Sequence, residues 1–164
     1  MIITQQHRFA ANLDAVVAML ANEAFAHARA RVAGAAEVHV AVDGTVDAGF
    51  TVVIRRAMPV TSIPTEVRGL VGRELSVIYT EVWEAPGHAD RAGTFALEIV
   101  GAPGHVSGAI GLTPDGDATD FFARGEVKAS VPLFGPMIER AVGDAVTKGF
   151  VAELAAADEW LAAR

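Results

Sequence analysis

The segment Glu74–Trp83 carries the side chains best suited to acid–base chemistry. Tyr79, Glu81 and Trp83 share one face of a strand over these residues, because side chains two positions apart in a strand point the same way. If this face is inward, Glu81 is a carboxylate in an apolar wall, its pKa is raised, and it is an acid–base candidate. If the face is outward, Glu81 is solvated. The cost of burying an unpaired carboxylate favours the solvated alternative.

His105 and the pair Arg55-Arg56 suggest two further kinds of chemistry. An inward-facing His105 would titrate near neutral pH at a cavity wall, but the Val/Ile/Leu set of the same strand is the better inward face, which leaves His105 in solvent. A guanidinium fork at Arg55 or Arg56 suits a ligand carboxylate or phosphate. Pairing of these arginines with Asp or Glu across the sheet is the favoured alternative.

Motifs for metal or cofactor chemistry are not found in the sequence. The five histidines show no metal-ligand spacing, there is no cysteine, and no nucleophile elbow, phosphate-binding loop or dinucleotide fingerprint occurs. We therefore predict neither a bound metal nor a cofactor.

The charge balance argues against polyanionic partners. Lys and Arg number 13 against 20 Asp and Glu, a net charge of −7, and no basic cluster exceeds Arg55-Arg56. Nucleic acids and anionic lipid surfaces are bound through basic patches, so both are disfavoured. No segment resembles a signal peptide or approaches the ~18 apolar residues of a membrane span. We predict a cytoplasmic protein that does not span a membrane.

Hydrophobic periodicity predicts an α+β domain over residues 1–164. A first strand over residues 1–8 precedes two short helices, one after the N-cap Asn12 and one over residues 22–31. A hairpin follows, with its turn predicted at Asp43-Gly44. Residues 58–72, which contain Pro59 and Pro64, resemble a lid or a corner.

Period-two alternation then predicts four more strands, approximately Glu74–Trp83, Ala92–Val100, His105–Thr113 and Ala118–Ser130. On the last of these, the set from Thr119 to Ala129 is the inward face. A helix from Gly135-Pro136 to Ala163 ends the chain. Its long apolar stripe must lie on something wide, and the antiparallel sheet is the surface available.

This element order resembles that of the START-like superfamily, which is also called SRPBCC, helix-grip or pollen-allergen-like. Within it, the chain is similar to a small actinobacterial domain family of unknown function. The segments that carry the likeness are RRAMP at 55–59, VGRELSVIYTEVWE at 71–84, GTFALEIVGAPGHVSG at 93–108 and GEVKASVPLFGPMIERAV at 125–142. The resemblance implies a curved antiparallel sheet of about seven strands wrapped around the C-terminal helix, with a cavity between them.

The resemblance also implies a choice of functions, since fold alone does not select one. We expect binding or carriage of a small hydrophobic ligand that is lipid, quinone or polyketide-like. One alternative is a cyclase or dehydratase that uses Tyr79, Glu81 or His105, and another is a protein-interaction module or homodimer with Phe122 on its exposed face. The residues expected to line the cavity are Phe50, Val52, Ile54, Tyr79, Glu81, Trp83, Phe95, Phe121, Ala123, Met137, Ala141 and Ala145.

Overall fold

The computed structural model describes residues 1–164, apart from the side chains of Ser62 and Val67. Seven strands and three α-helices follow one another in the predicted order. Two short 3-10 turns, Val60–Ser62 and Thr65–Leu70, form the predicted corner. The other elements are β1 (Ile2–Phe9), α1 (Leu13–Leu20), α2 (Glu23–Val32), β2 (Val38–Thr45), β3 (Gly49–Pro59), β4 (Glu74–Trp83), β5 (Arg91–Ile99), β6 (His105–Asp115), β7 (Ala118–Lys128) and α3 (Gly135–Ala162).

The strands form one antiparallel sheet in the order β1-β7-β6-β5-β4-β3-β2. Consecutive strands from β2 to β7 pair as a meander, and β1 closes the far edge by pairing with β7. The helices pack against one face of this sheet, so its inward residues form the core. The predicted α+β fold, a curved antiparallel sheet with a long C-terminal helix and two short helices after the first strand, is confirmed.

Asparagine caps start the two short helices. The Asn12 side chain accepts a hydrogen bond from the Ala15 amide at 2.9 Å, and Asn22 accepts from the amides of Ala24 and Phe25 at 2.9 and 3.3 Å. Each cap satisfies amides that the first helical turn leaves without a partner. In α2 the buried face consists of Phe25, Ala26, Arg29 and Ala30.

The β2–β3 hairpin corrects one prediction. The turn lies at residues 46–48, because Thr45 still pairs with Gly49, and Asp43-Gly44 therefore belongs to β2. Gly44 has a φ of +94°, and a Cβ added there would lie 2.3 Å from the Gly49 carbonyl oxygen. The glycine is needed for a close approach of the two strands, which the dipeptide pattern alone did not distinguish from a turn.

The long helix α3 contacts the sheet unevenly along its length. In its C-terminal half, Phe150, Leu154 and Ala157 are buried in the core. In its N-terminal half, Gly143 is covered by Met1, whereas Ala141 and Ala145 are not buried. The N-terminal half therefore stands off from β3, β4 and β5, and a space opens between them.

Membrane crossing by a helix is not indicated in the part of the chain that the structure describes, where no helix is both long and apolar enough.

Candidate functional site

A large groove lies between the N-terminal half of α3 and the ends of β3, β4 and β5. Its volume is about 770 Å³, and it is open to solvent on one side. Most of its wall is apolar. The sheet contributes Met58, Leu75, Val77, Leu97 and Ile99, the helix contributes Ala141, Val142, Ala145, Val146 and Ala152, and the corner and the end of α2 contribute Ile63, Pro64, Val32 and Ala33.

A narrower apolar recess continues from this groove beneath the corner segment. It has a volume of about 50 Å³ and shares Leu75, Leu97 and Val142 with the groove. Val71 and Ile138 line its far side. The groove and the recess together form an apolar channel along the start of α3.

The charged side chain that the sheet contributes to the groove is Arg56. Alternation along β3 places Arg56 on the inward face between Ile54 and Met58. Its Nη1 donates a hydrogen bond to Glu153 Oε1 on α3 at 3.1 Å, and the two side chains are only 10% and 11% exposed. Arg56 Nε is enclosed and has no hydrogen-bond partner among the described residues.

This geometry corrects the expected partner of the arginine pair. Pairing across the sheet was the favoured alternative, but Arg56 pairs with the helix residue Glu153. Arg55, the next residue, is exposed on the outer face of the sheet. The inward position of Arg56 and the outward position of Arg55 both follow from strand geometry, because neighbouring residues of a strand point to opposite faces.

Glu81 is buried, so the solvated alternative for this residue is wrong. The guanidinium of Arg29 on α2 donates to it twice, with Nη1 to Oε1 at 2.8 Å and Nη2 to Oε2 at 2.9 Å. On the strand itself, the Tyr79 hydroxyl donates to Oε1 at 2.7 Å and the Trp83 indole donates to Oε2 at 3.2 Å. A buried carboxylate with four donors is stable where an unpaired one would not be.

The electrostatics of Glu81 reverse the sequence-based expectation. Burial alone would raise the pKa of its carboxyl, but the charge of Arg29, with hydrogen bonds from Arg29, Tyr79 and Trp83, holds that pKa below its ordinary value. Burial and the neighbouring carboxylate raise the pKa of Tyr79 well above its ordinary value. Glu81 therefore stays ionised and Tyr79 stays protonated, and neither is poised for proton transfer near neutral pH.

The pKa of Glu153 is shifted in the opposite direction to the pKa of Glu81. Burial raises the pKa of Glu153, and the opposing charges of Arg29 and Arg56 do not fully offset that effect. The two arginines and two glutamates form a cluster whose formal charges cancel. Of the two carboxyls, that of Glu153, which contacts Arg56, takes up a proton at the higher pH.

The lowered pKa of Glu81 predicts an acid-sensitive contribution to stability. Its pKa in the folded state is below the ordinary 4.5, so the stabilisation is fully present above pH 4.5 and is lost as the pH falls through the folded value. We expect acidification to lower the free energy of unfolding less in Glu81→Gln than in the wild type, as measured by urea denaturation across this range. Equal acid sensitivity in both proteins would contradict this assignment.

The predicted cavity residues fall into two groups. Ala141 and Ala145 line the groove, and Met137 is half-buried on the first turns of α3. The other nine are buried in the core between the sheet and the helices: Phe50, Val52, Ile54, Tyr79, Glu81, Trp83, Phe95, Phe121 and Ala123. That any of them contacts a ligand stays a prediction.

The candidate acid–base residues are not gathered on the groove. His105 is exposed at the start of β6, where it is among the residues that line the recess. Val106, Ile110 and Leu112 are buried, which confirms the preferred face of that strand. Tyr79 and Glu81 do lie together, but the space beside Glu81 has a volume of about 20 Å³. Such a space holds about one water molecule. The arrangement fixes α2 on the sheet.

Three features of the site were not predicted from the sequence. Arg29, Glu153 and the groove walls at Leu75 and Leu97 were not singled out. The burial of Arg29 could have been predicted, since Arg29 shares a helix face with Phe25 and Ala26 and must be buried with them. A buried guanidinium requires a carboxylate, and Glu81 is an inward candidate on the facing sheet.

Solved structures share this fold at low sequence identity. TTHA0849 from Thermus thermophilus is 12% identical with a TM-score of 0.66, covering 99% of this chain and 98% of that chain. A START superfamily protein from Mycobacterium smegmatis is 13% identical with a TM-score of 0.55, covering 98% of each chain. Truncated norcoclaurine synthase from Thalictrum flavum is 14% identical with a TM-score of 0.57, covering 98% of this chain and 92% of that one.

Residues 4–161 match the family described as Protein of unknown function (DUF2505), and the chain therefore belongs to that family. The structural neighbours show that the chain shares the fold of a START superfamily protein. No protein of curated function matches the chain in sequence. The actinobacterial origin stays a prediction.

Proposed function

We propose that this member of the DUF2505 family binds or carries a small hydrophobic molecule in the groove between its sheet and α3. The observation that carries the proposal is the groove itself, about 770 Å³ of largely apolar space. That volume is within the range of small-molecule sites, which are roughly 300–1,000 Å³. The shared START-like fold supports this proposal, because the superfamily resemblance implies ligands of this kind.

The wall chemistry gives the physical reason for binding. Leu75, Leu97 and Val142 line both the groove and its recess, so an apolar molecule that lies along them buries the side of its chain that faces this wall. Each methylene that is moved from water into such a site contributes about 0.8 kcal/mol, which is up to about fourfold in Kd. Affinity for a homologous series should therefore rise with chain length until the channel is full.

Blocking the groove is the direct test. Ala145 is exposed and lines the groove, so Ala145→Trp fills the space without displacing a core side chain. We expect this variant to bind N-phenyl-1-naphthylamine, a neutral fluorescent probe, at least about tenfold more weakly than the wild type. Fluorescence titration measures the Kd, and native mass spectrometry checks for a co-purified ligand.

Ala155→Trp is the matched control, because Ala155 is exposed on the same helix and does not line the groove. It should bind the probe as the wild type does. Equal weakening in the two variants, or no effect in either, would count against the groove as the binding site. Failure of the wild type to bind any apolar probe would remove the proposal altogether.

A further inference from the structure

The groove has one buried polar feature that an apolar ligand alone does not explain. Arg56 reaches the groove from the inward face of β3, and Glu153 holds its Nη1 from the side of α3. Its Nε is enclosed and has no hydrogen-bond partner among the described residues. A buried donor without a partner costs about 1–3 kcal/mol. Arg29 and Arg91 carry the same unpartnered Nε, and of these three arginines Arg56 is the one that lines the groove, where a ligand can supply an acceptor to the guanidinium.

The charges along the groove favour an acceptor that is negative. Its charged lining residues are Arg56, Lys148 and Asp144, and the carboxylate that pairs with Arg56, that of Glu153, is not among them. Asp144 and Lys148 lie one helical turn apart at the rim, where each offsets the other. Glu153 does not line the groove and lies on the far side of Arg56, facing the enclosed space beside Arg29.

The strand register connects Arg56 to the apolar wall. Arg56 is opposite Val77 on β4, and Val77 is opposite Ile99 on β5. Met58 is opposite Leu75, at the start of the recess. A molecule with one end at Arg56 therefore lies across Val77 and Ile99 and continues towards Leu75.

From these contacts we infer that the occupant of the groove is an amphipathic carboxylic acid, whose carboxylate accepts hydrogen bonds from Arg56 while its hydrocarbon part lies against Leu75, Leu97 and Ile99. This inference rests on the proposed function and adds the chemical class of the ligand. A guanidinium is the side chain best matched to a planar carboxylate. Arg29, Arg56 and Glu81 are the charged groups around Glu153, whose pKa is raised by burial. We therefore expect Glu153 to take up a proton when a second carboxylate binds to Arg56.

The test compares hexadecanoic acid with its methyl ester, which has the same chain and no charge. We expect the wild type to bind the acid roughly ten- to a hundredfold more tightly, the usual range for a hydrogen bond to a charged group. Displacement of N-phenyl-1-naphthylamine measures both Kd values. Equal affinity for acid and ester would overturn the inference and leave the proposed function standing, whereas binding of neither would remove the proposed function.

Variants test whether Arg56 is the residue that gives the preference for the acid over the ester. Arg56→Gln with Glu153→Gln removes both charges without leaving one of them unpaired, and it should bring the Kd of the acid to that of the ester. Glu153→Gln alone keeps Arg56 and should bind the acid several-fold more tightly than the wild type. Arg55→Gln, on the outer face, is the control and should keep the full preference.

Two outcomes would overturn the role of Arg56: an unchanged preference for the acid in the double variant, or loss of the preference in Arg55→Gln. Circular dichroism checks that each variant is folded. If the double variant does not fold, the comparison of acid and ester on Glu153→Gln and the wild type decides the question, since a carboxylate beside Arg56 must respond to the charge of Glu153.

Discussion

Replacing Arg29 by methionine is expected to lower the free energy of unfolding by about 3–5 kcal/mol, because it leaves the carboxylate of Glu81 buried without its cation. The two side chains are each only 5% exposed, and no water can replace the lost guanidinium in full. The Tyr79 and Trp83 donors remain, but both are neutral. Urea or guanidinium denaturation at neutral pH measures the change.

A pH series separates lost charge pairing from lost packing in this variant. Without Arg29, burial raises the pKa of Glu81, so the carboxyl takes up a proton in the folded state and the stability deficit should shrink as the pH falls. In Arg29→Met with Glu81→Gln, the amide oxygen can accept from the Trp83 indole while the amide NH2 donates to the Tyr79 hydroxyl oxygen, and much of the deficit should be recovered. A deficit that is the same at every pH, with no recovery in the double variant, would show that packing alone is responsible.

Replacing Phe150 by alanine is expected to destabilise the protein by about 3–5 kcal/mol, the usual cost of removing a buried aromatic ring. The Phe150 ring lies edge-on to Phe95 on β5, with centroids 5.5 Å apart, and 6.4 Å from Phe121 on β7. It fastens the C-terminal half of α3 to the centre of the sheet. Denaturant unfolding gives the total loss, and hydrogen exchange of the α3 amides shows where protection is lost.

Val151→Ala is the matched control, since Val151 is the next residue on the same helix and is 55% exposed. Its effect should lie within about 0.5 kcal/mol. If Phe150→Ala were as mild as this control, the ring would not be what fastens α3 to the sheet. The groove would then lack a fixed wall.

The fold follows closely from local patterns in the sequence. Alternation over Glu74–Trp83 predicts β4 with its observed bounds, and the apolar stripe after Gly135 predicts α3 to within one residue. Both signals are strong because each element buries one face against a single neighbouring layer. The turn at 46–48 was misplaced, because a glycine that permits close strand approach resembles a turn glycine in sequence.

The candidate site was harder to predict because its contacts join distant residues. Arg29 and Glu81 are 52 residues apart, and Arg56 and Glu153 are 97 apart. The burial of Glu81 is acceptable only with a partner from α2, and nothing within its own strand shows that this partner exists. The groove arises where the N-terminal half of α3 diverges from the sheet. This divergence depends on the direction of the helix, which the spacing of apolar residues along α3 does not show.

The central claim is that an apolar molecule lies in the groove between α3 and the ends of β3, β4 and β5. Nuclear Overhauser effects between the chain protons of bound hexadecanoic acid and methyl-labelled side chains test it most directly. We predict contacts to Ala141, Ala145 and Leu97, and none to the exposed methyls of Val82 on the outer face. Contacts to Val82 in place of the groove methyls would contradict the account.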